Sequence, residues 1–337
     1  MHHRRDAAGS PGFNATTIKT PSPSAAIIVP PKLPSHLHPG SGQRLFAWNG
    51  VAFLIPKRWE LAHAELYKGV SRIVLEDDAN PRLELDWFST TSDVSRDKVQ
   101  KRCQKQSRAL TAAAEKVLEI DGLGNEWTAH EYRLPEAAVL VIGYCLPSPE
   151  GRPFAFFRLH FPVGHAESPG VTFRAVAQSF SWWKTGIAPW AFYDVAFWLS
   201  RDCHLASTAL QAGRKMLAFE WRWRRLFIWH FSLADYILRT QTAAEWCRDF
   251  LNSCKFLPVP KWRVDGQGKL AYQRRRLYCL GHFEEIGRFC FQYQAVCRHL
   301  PEQNQIVLWV IHYRRQTDLQ HLAEAFPEPD QPLPQKP

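Results

Sequence analysis

In "PRLELDWFS", Pro81 to Ser89, apolar Leu83, Leu85 and Trp87 alternate with Arg82, Glu84 and Asp86. A period of two puts the first three on the inward face of a half-buried strand and the charged three on its outward face. The apolar runs "VAFLIP" and "IVLE" ahead of it predict two further strands. The period then lengthens, and in "DVSRDKVQKRCQKQSRALTAAAEKVLEI" Val99, Cys103, Leu110, Ala113 and Val117 recur at helical spacing. Three more strand patterns follow, "EWTAHEYRLP", "AAVLVIGYCLP" and "RPFAFFRLHFP", the last two separated by the turn "PSPEG", and "FRAVAQSF" closes the series as a helix.

The pattern then repeats. "VAFLIPKRWELAHAEL" (Val51 to Leu66) aligns without gaps with "VAFWLSRDCHLASTAL" (Val195 to Leu210), and Gly69, Leu75 and Glu76 meet Gly213, Phe219 and Glu220. One deletion later, "PRLELDWFS" falls on "RRLFIWHFS", Arg224 to Ser232. Beyond that point the copies agree in pattern: a helix at "AAEWCRDFLNSC", strands at "LAYQRRRLYCLG", "RFCFQYQAVCRHLP" and "QIVLWVIHYRR", and a closing helix at "LQHLAEAF". Each unit reads β-β-β-α-β-β-β-α over about 140 residues. The expected fold class is α+β: two tandem repeats, each a mostly antiparallel sheet packed with two helices as an α/β/α sandwich, in a pseudo-twofold arrangement. Only "WKTGIAPWAF" separates the copies, too short a link to let them part. The expected boundaries are a tail over 1–43, repeats over 44–186 and 187–327, and a tail over 328–337.

The opening "GVAFLIPKRWEL", with its strand breaking at Pro56 before Trp59, followed by "IVLEDD" and "PRLELDWF", resembles the start of PsbP-like and DcrB-like domains over residues 49–89. The second copy has Ser200 and Cys203 in place of the proline and tryptophan. The resemblance implies an α/β/α sandwich that acts in binding or assembly, and it brings no catalytic residue with it.

Composition adds limits. The Pro- and Ser-rich ends offer too little apolar surface to offset the entropy of ordering. No run approaches a membrane span or a signal core, and eight scattered cysteines read as reduced thiols of a cytoplasmic protein. A net charge of +10 permits attraction to polyanions. Its carriers are Lys98, Lys101, Arg102, Lys105 and Arg108 on the long helix and the run Arg274-Arg275-Arg276; the plainer reading is a charged helix face opposite an apolar one.

Catalytic and cofactor motifs are not visible. "GLGNEW" at Gly122 precedes a strand rather than a helix and reads as a turn. Cys279, His282, Cys290, Cys297 and His299 are residue types that bind zinc, but they fall mainly along strands, with Phe289, Phe291 and Tyr293 on one face and Cys290, Gln292 and Gln294 on the other. Small buried cysteines explain them more simply, and no metal is expected. Adjacent His130 and Glu131 point to opposite faces of a strand, and Glu76-Asp77-Asp78 reads as a solvated hairpin tip.

The alignment makes "FEWRWRRLFIWHFS", Phe219 to Ser232, a hairpin with its turn near Arg222 to Arg224. Phe227 and Trp229 stand where the first copy has Glu84 and Asp86, so the outward face is apolar too. Such a face needs cover from the chain itself or a partner. Phe227, Trp229, Arg222, Arg224 and Arg225 are therefore the candidate partner surface. The expected function is non-enzymatic binding or assembly through protein contacts, without a cofactor and away from membranes. The alternative is a nucleic-acid or other polyanion module that uses the basic, aromatic surface of the second repeat.

Overall fold

The computed structural model describes residues 32–67, 69–88, 96–135, 138–148 and 151–319. A 3-10 turn at Ser35–Leu37 leads into the hairpin of β1 (Gln43–Trp48) and β2 (Val51–Pro56). Its two-residue turn places both Asn49 and Gly50 at positive φ, 46° and 88°, the conformation that closes twisted hairpins. Then come β3 (Glu60–Tyr67), β4 (Val70–Glu76), β5 (Pro81–Phe88), α1 (Arg96–Ala113), β6 (Lys116–Glu119), β7 (Trp127–Arg133), β8 (Val139–Cys145), β9 (Phe154–Phe161), α2 (Pro169–Ser179) and the short β10 (Ser181–Trp182). The second half runs β11 (Ile187–Phe192), β12 (Val195–Ser200), β13 (His204–Gln211), β14 (Arg214–Trp221), β15 (Arg224–Ser232), α3 (Ala234–Ile237) and α4 (Ala243–Ser253). It ends with β16 (Pro260–Val264), β17 (Leu270–Arg274), α5 (Phe283–Arg288), β18 (Gln292–Leu300), β19 (Gln305–Tyr313) and a 3-10 turn at Gln316–Leu319.

The sheets are antiparallel throughout the described residues. The first half builds β3-β4-β5-β9-β8-β7-β6, and the second builds β13-β14-β15-β19-β18. A third sheet, β10-β2-β1-β11-β12, joins the halves, and β16-β17 form a separate ribbon. The mostly antiparallel α+β architecture expected from the apolar periods is therefore present.

One apolar core unites the three sheets. Phe46, Trp48, Phe53 and Trp190 of the joining sheet meet Leu83, Leu85 and Phe157 from one side and Phe219, Leu226 and Trp309 from the other. Leu83, Leu85 and Trp87 point inward, as their alternation requires. Helix α2 reaches this core because position 143 is glycine: a Cβ there would strike the Phe173 ring. Trp59, after the strand break at Pro56, is fully buried.

Several expectations need correction. "WKTGIAPWAF" is no bare linker; it holds β11, whose Ala191 stands opposite Ala47 of β1. That ladder is limited to this one pair, so Pro189, which lacks an N–H, lies outside it. Chain ahead of residue 43 is also packed, since Leu37 is completely buried against Ala47, Ala52 and Ala191. The strand foreseen from Arg288 starts only at Gln292, because "FEEIGR" forms α5 and Phe289 ends it at φ 51°. Arg82 faces inward: it is 2% exposed, lies over the Trp59 and Phe161 rings, and pairs with Glu167 at 2.7 Å and Asp77 at 3.4 Å. The acidic hairpin tip is therefore only partly solvated. Asp77 also accepts the N–H groups of Ala79 and Asn80, closing the turn. The closing helix at "LQHLAEAF" falls, beyond Leu319, outside the described residues.

Candidate docking surface

Phe227 and Trp229 are 6% and 2% exposed, and the second half covers them itself. Helix α4 begins on a capping box in which the Thr242 hydroxyl accepts from the Glu245 N–H and Glu245 accepts from the Thr242 N–H. It lays Phe250 against Trp229 at 5.6 Å and Trp246 against Phe231 at 4.6 Å. Leu257, Val259 and Trp262 complete the layer. The two rings are core residues that the chain itself buries, not the uncovered face expected of a partner surface. Their arginine neighbours are also engaged: Arg224 pairs with Asp318 at 2.7 Å, and Arg225 with Glu220 at 2.8 Å and Glu284 at 2.7 Å. Arg222 is exposed at the hairpin tip, with φ 51°. Trp223 beside it is 54% exposed.

The segment between β17 and β18 reverses the usual sides of a surface helix. At the start of α5, the His282 ring accepts from the Glu284 N–H at 3.3 Å, and the His282 N–H donates to the Glu285 carboxylate at 2.9 Å. Glu285 is completely buried and takes a second bond from Arg274. Glu284 is held by Arg225, and Arg288 by Glu220 at 3.0 Å. The charged side of α5 is thus tied to the body of the protein. Its apolar side is not: Phe283, Ile286 and Phe289 are 74%, 52% and 56% exposed. Leu277, Leu280 and Phe291, in the residues flanking α5, are exposed as well. Surface helices ordinarily bury the apolar stripe and solvate the charges.

The anchor beneath is buried and hydrogen-bonded. Cys290 is fully buried, its thiol directed at the Trp223 carbonyl at 3.5 Å, and its own carbonyl accepts from His312 Nε2 at 2.7 Å. His312 stacks on Tyr293 with ring centroids 4.5 Å apart. Burial pushes the His312 ring below its ordinary pKa, although the bond to the Cys290 carbonyl works against that shift. Burial, and then the nearby Glu285, raise the Tyr293 hydroxyl. Burial pushes the Glu220 carboxyl up, but Arg225 and Arg288 together leave it below the usual range. Beside α5 opens a groove of about 500 Å³, lined by Ser207, Phe227, Phe256, His282, Phe283 and Glu284.

The remaining sequence candidates do not converge. Cys279 is exposed, Cys290 is packed under Trp223, Cys297 faces Cys247, and His282 caps a helix. Among the described residues no group of three or more His, Cys, Asp and Glu is placed to hold a metal ion. Glu131 lies beside Arg133 at 3.2 Å, adjacent to His130 on β7. Of the basic helix face, Lys101, Lys105 and Arg108 are exposed, while the side chains of Lys98 and Arg102 lie outside the described part. Arg275 and Arg276 are exposed at the edge of the apolar segment, and neither has an ion pair among the described residues.

Sequence reasoning missed α5. Its signal was the spacing of Leu280, Phe283, Ile286 and Phe289, three apart, which marks a helical stripe but not the side that faces water. Among the described residues no helix is long and apolar enough to cross a membrane. Compared with protein-family models and with curated proteins, the chain matches none of them.

Proposed function

We propose that this chain is a non-enzymatic binding or assembly protein that docks a partner protein on the apolar side of α5. The observation that carries the reading is the reversed helix: Glu285 is fully buried while Phe283 is 74% exposed. Together with Trp223 and Phe256, the exposed side chains of this segment present on the order of 800 Å². That exceeds the few hundred Å² usual for an unoccupied patch and suits one side of a standard interface. Exposed Arg275 and Arg276, with no ion pair among the described residues, border it. The fitting partner is therefore a protein segment with an apolar face edged by carboxylates. The likeness of residues 49–89 to PsbP-like and DcrB-like domains points to the same class of function.

We further propose that the halves are tandem repeats about a pseudo-twofold axis between Ala47 and Ala191, each two residues ahead of a residue at positive φ, Asn49 and Tyr193. The eight free thiols fit a cytoplasmic site. The nucleic-acid reading has less support, because Arg224 and Arg225 are bound in ion pairs.

The test places a photo-crosslinking phenylalanine at position 283, and a control at exposed Tyr67, in the native host. A discrete adduct with another protein, made only from position 283 and lost with Arg275→Glu and Arg276→Glu, is the expected result. Adducts solely with further copies of this chain, with nucleic acid, or with nothing would overturn it.

A further inference from the structure

We propose that Cys247 and Cys297 are a redox-sensitive pair, a modification site at which oxidation fastens α4 to β18. Their sulfurs lie 2.8 Å apart, 50 residues apart in sequence. Less than about 1 Å of movement separates them from the ~2.05 Å of a disulfide. Cys247 sits within α4 and is fully buried, so the sheet holds its sulfur in place. Cys297 lies on β18, the edge strand of its sheet, and is only partly buried, so a small reagent can reach it. Its thiol is also directed at the Ala243 carbonyl, 3.4 Å away, over the first turn of α4. One partner is therefore fixed and the other accessible, the arrangement a stepwise exchange requires.

The oxidant is a low-molecular-weight disulfide. Cys297 gives its proton to solvent, and its sulfur attacks one sulfur of the reagent, forming a mixed disulfide and expelling one small thiolate, which takes up a proton. Cys247 then releases its proton, and its sulfur displaces the second small thiol from Cys297. One S–S bond is consumed and one is made; the two protein thiols are oxidised as the reagent is reduced to two thiols. The closed loop contains β16, β17 and all of α5, so the bond ties together both ends of the segment that carries the exposed apolar surface. This inference stands on the cysteine geometry and not on the docking reading.

The experiment treats the reduced, folded chain with oxidised glutathione, unfolds it, and counts thiols, with a non-reducing digest to locate any link. Two of the eight thiols should disappear, in a peptide joining Cys247 to Cys297, and the melting temperature should rise by about 5 °C or more, because a long loop is closed. A reductant should reverse both changes. Cys297→Ser and Cys247→Ala should each abolish the link, while Cys279→Ser should leave it intact. Cys297→Ala, checked for native near-ultraviolet circular dichroism, serves if the serine perturbs folding. A persistent mixed disulfide on Cys297, a link through any other cysteine, or eight thiols still free after exchange would overturn the proposal.

Discussion

The two large sheets share one strand order over β3-β4-β5-β9-β8 and β13-β14-β15-β19-β18, yet their outer faces carry opposite chemistry. In the first, Arg72 stands across from Asp86 and Glu84 across from Arg158. The corresponding pairs in the second are Met216 with Trp229 and Phe227 with Val310. Four charged side chains are matched by four apolar ones. On the charged face Glu84 takes Arg72 at 2.6 Å, Arg158 at 2.9 Å and His160 at 3.0 Å. Burial pushes both carboxyls up, but the arginines and His160 bring Glu84 below its ordinary value while Asp86 stays above it. Position of the covering helix decides the difference. In the first half the apolar outer cluster lies toward β7, β8 and β9, around Cys103, Tyr132, Ile142 and Phe156, and β4–β5 stay wet. In the second, α4 and the run into β16 seal Phe227 and Trp229. A sheet face is thus apolar where the chain returns over it, whatever its order of strands.

The comparison breaks most sharply at Trp229. Trp229→Ala removes a ring packed on Phe227 and Phe250, and should destabilise the fold by about 4 kcal/mol in urea unfolding. Asp86→Ala, at the corresponding place, should lose about 1 kcal/mol or less, because Glu84 still pairs with both arginines. Equal losses at the two sites would show that the outer faces are not dry and wet as described.

Arg82 and Arg225 give a second contrast, each standing one residue before an inward leucine, Leu83 or Leu226. Arg82 is 2% exposed between Glu167 and Asp77, while Arg225 is 25% exposed by its side chain. Arg82→Ala leaves two carboxylates without their buried partner and should lose about 3 kcal/mol. Arg225→Ala should lose about 1 kcal/mol, since water reaches the groups it leaves. Paired urea curves decide whether burial sets the ranking.

His230 occupies the place of Trp87 in the first sheet and makes the second half sensitive to acid. Burial is the main cause of a pKa lowered from 6.5 to about 4, against the attraction of Asp194 and the influence of the nearby Gln305 side chain. Lys215, which also faces it, adds to the lowering. The unfolded ring binds its proton first, so this contribution is complete above pH 6.5 and is lost as pH falls toward 4. Between pH 7.5 and 5 the loss is about 2 kcal/mol. Lowered carboxyls such as Glu84 and Glu220 lose stability in the same direction at lower pH. The clean measurement is therefore the His230 ring titration by NMR, together with a shallower pH slope for His230→Gln. A ring that titrates near 6.5 in the folded chain would remove the effect.

What could be read in advance follows the range of the forces involved. The Leu83-Leu85-Trp87 period is local, and it was legible. Strand β1 was hidden because "QRLFAW" adjoins a Gly- and Pro-rich stretch, and β11 because Pro189 argues against a strand. Arg82 looked outward because its main partner, Glu167, is 85 residues away. The apolar rings at 227 and 229 were correctly seen to need cover, but only the packing of α4 shows that the chain supplies it. On α5 the stripe was present in the letters; its outward direction is set by Glu220, Arg225 and Arg274, which no local period reports.

The smallest expected effect tests the wet face itself. Arg72 is 40% exposed by its side chain, 2.6 Å from Glu84 and 3.6 Å from Asp86. Its hydrogen bond to Glu84 raises its own pKa more than partial burial lowers it. Solvent screening still limits such a pair, so Arg72→Met should change stability by under about 1 kcal/mol, and by less again in 1 M salt. The same replacement copies Met216 from the second sheet, but among the described residues no helix lies over β4–β5 to bury it. A gain in stability from Arg72→Met would mean that this face already packs against something apolar, and the contrast between the sheets would then lie in their partners and not in their folds.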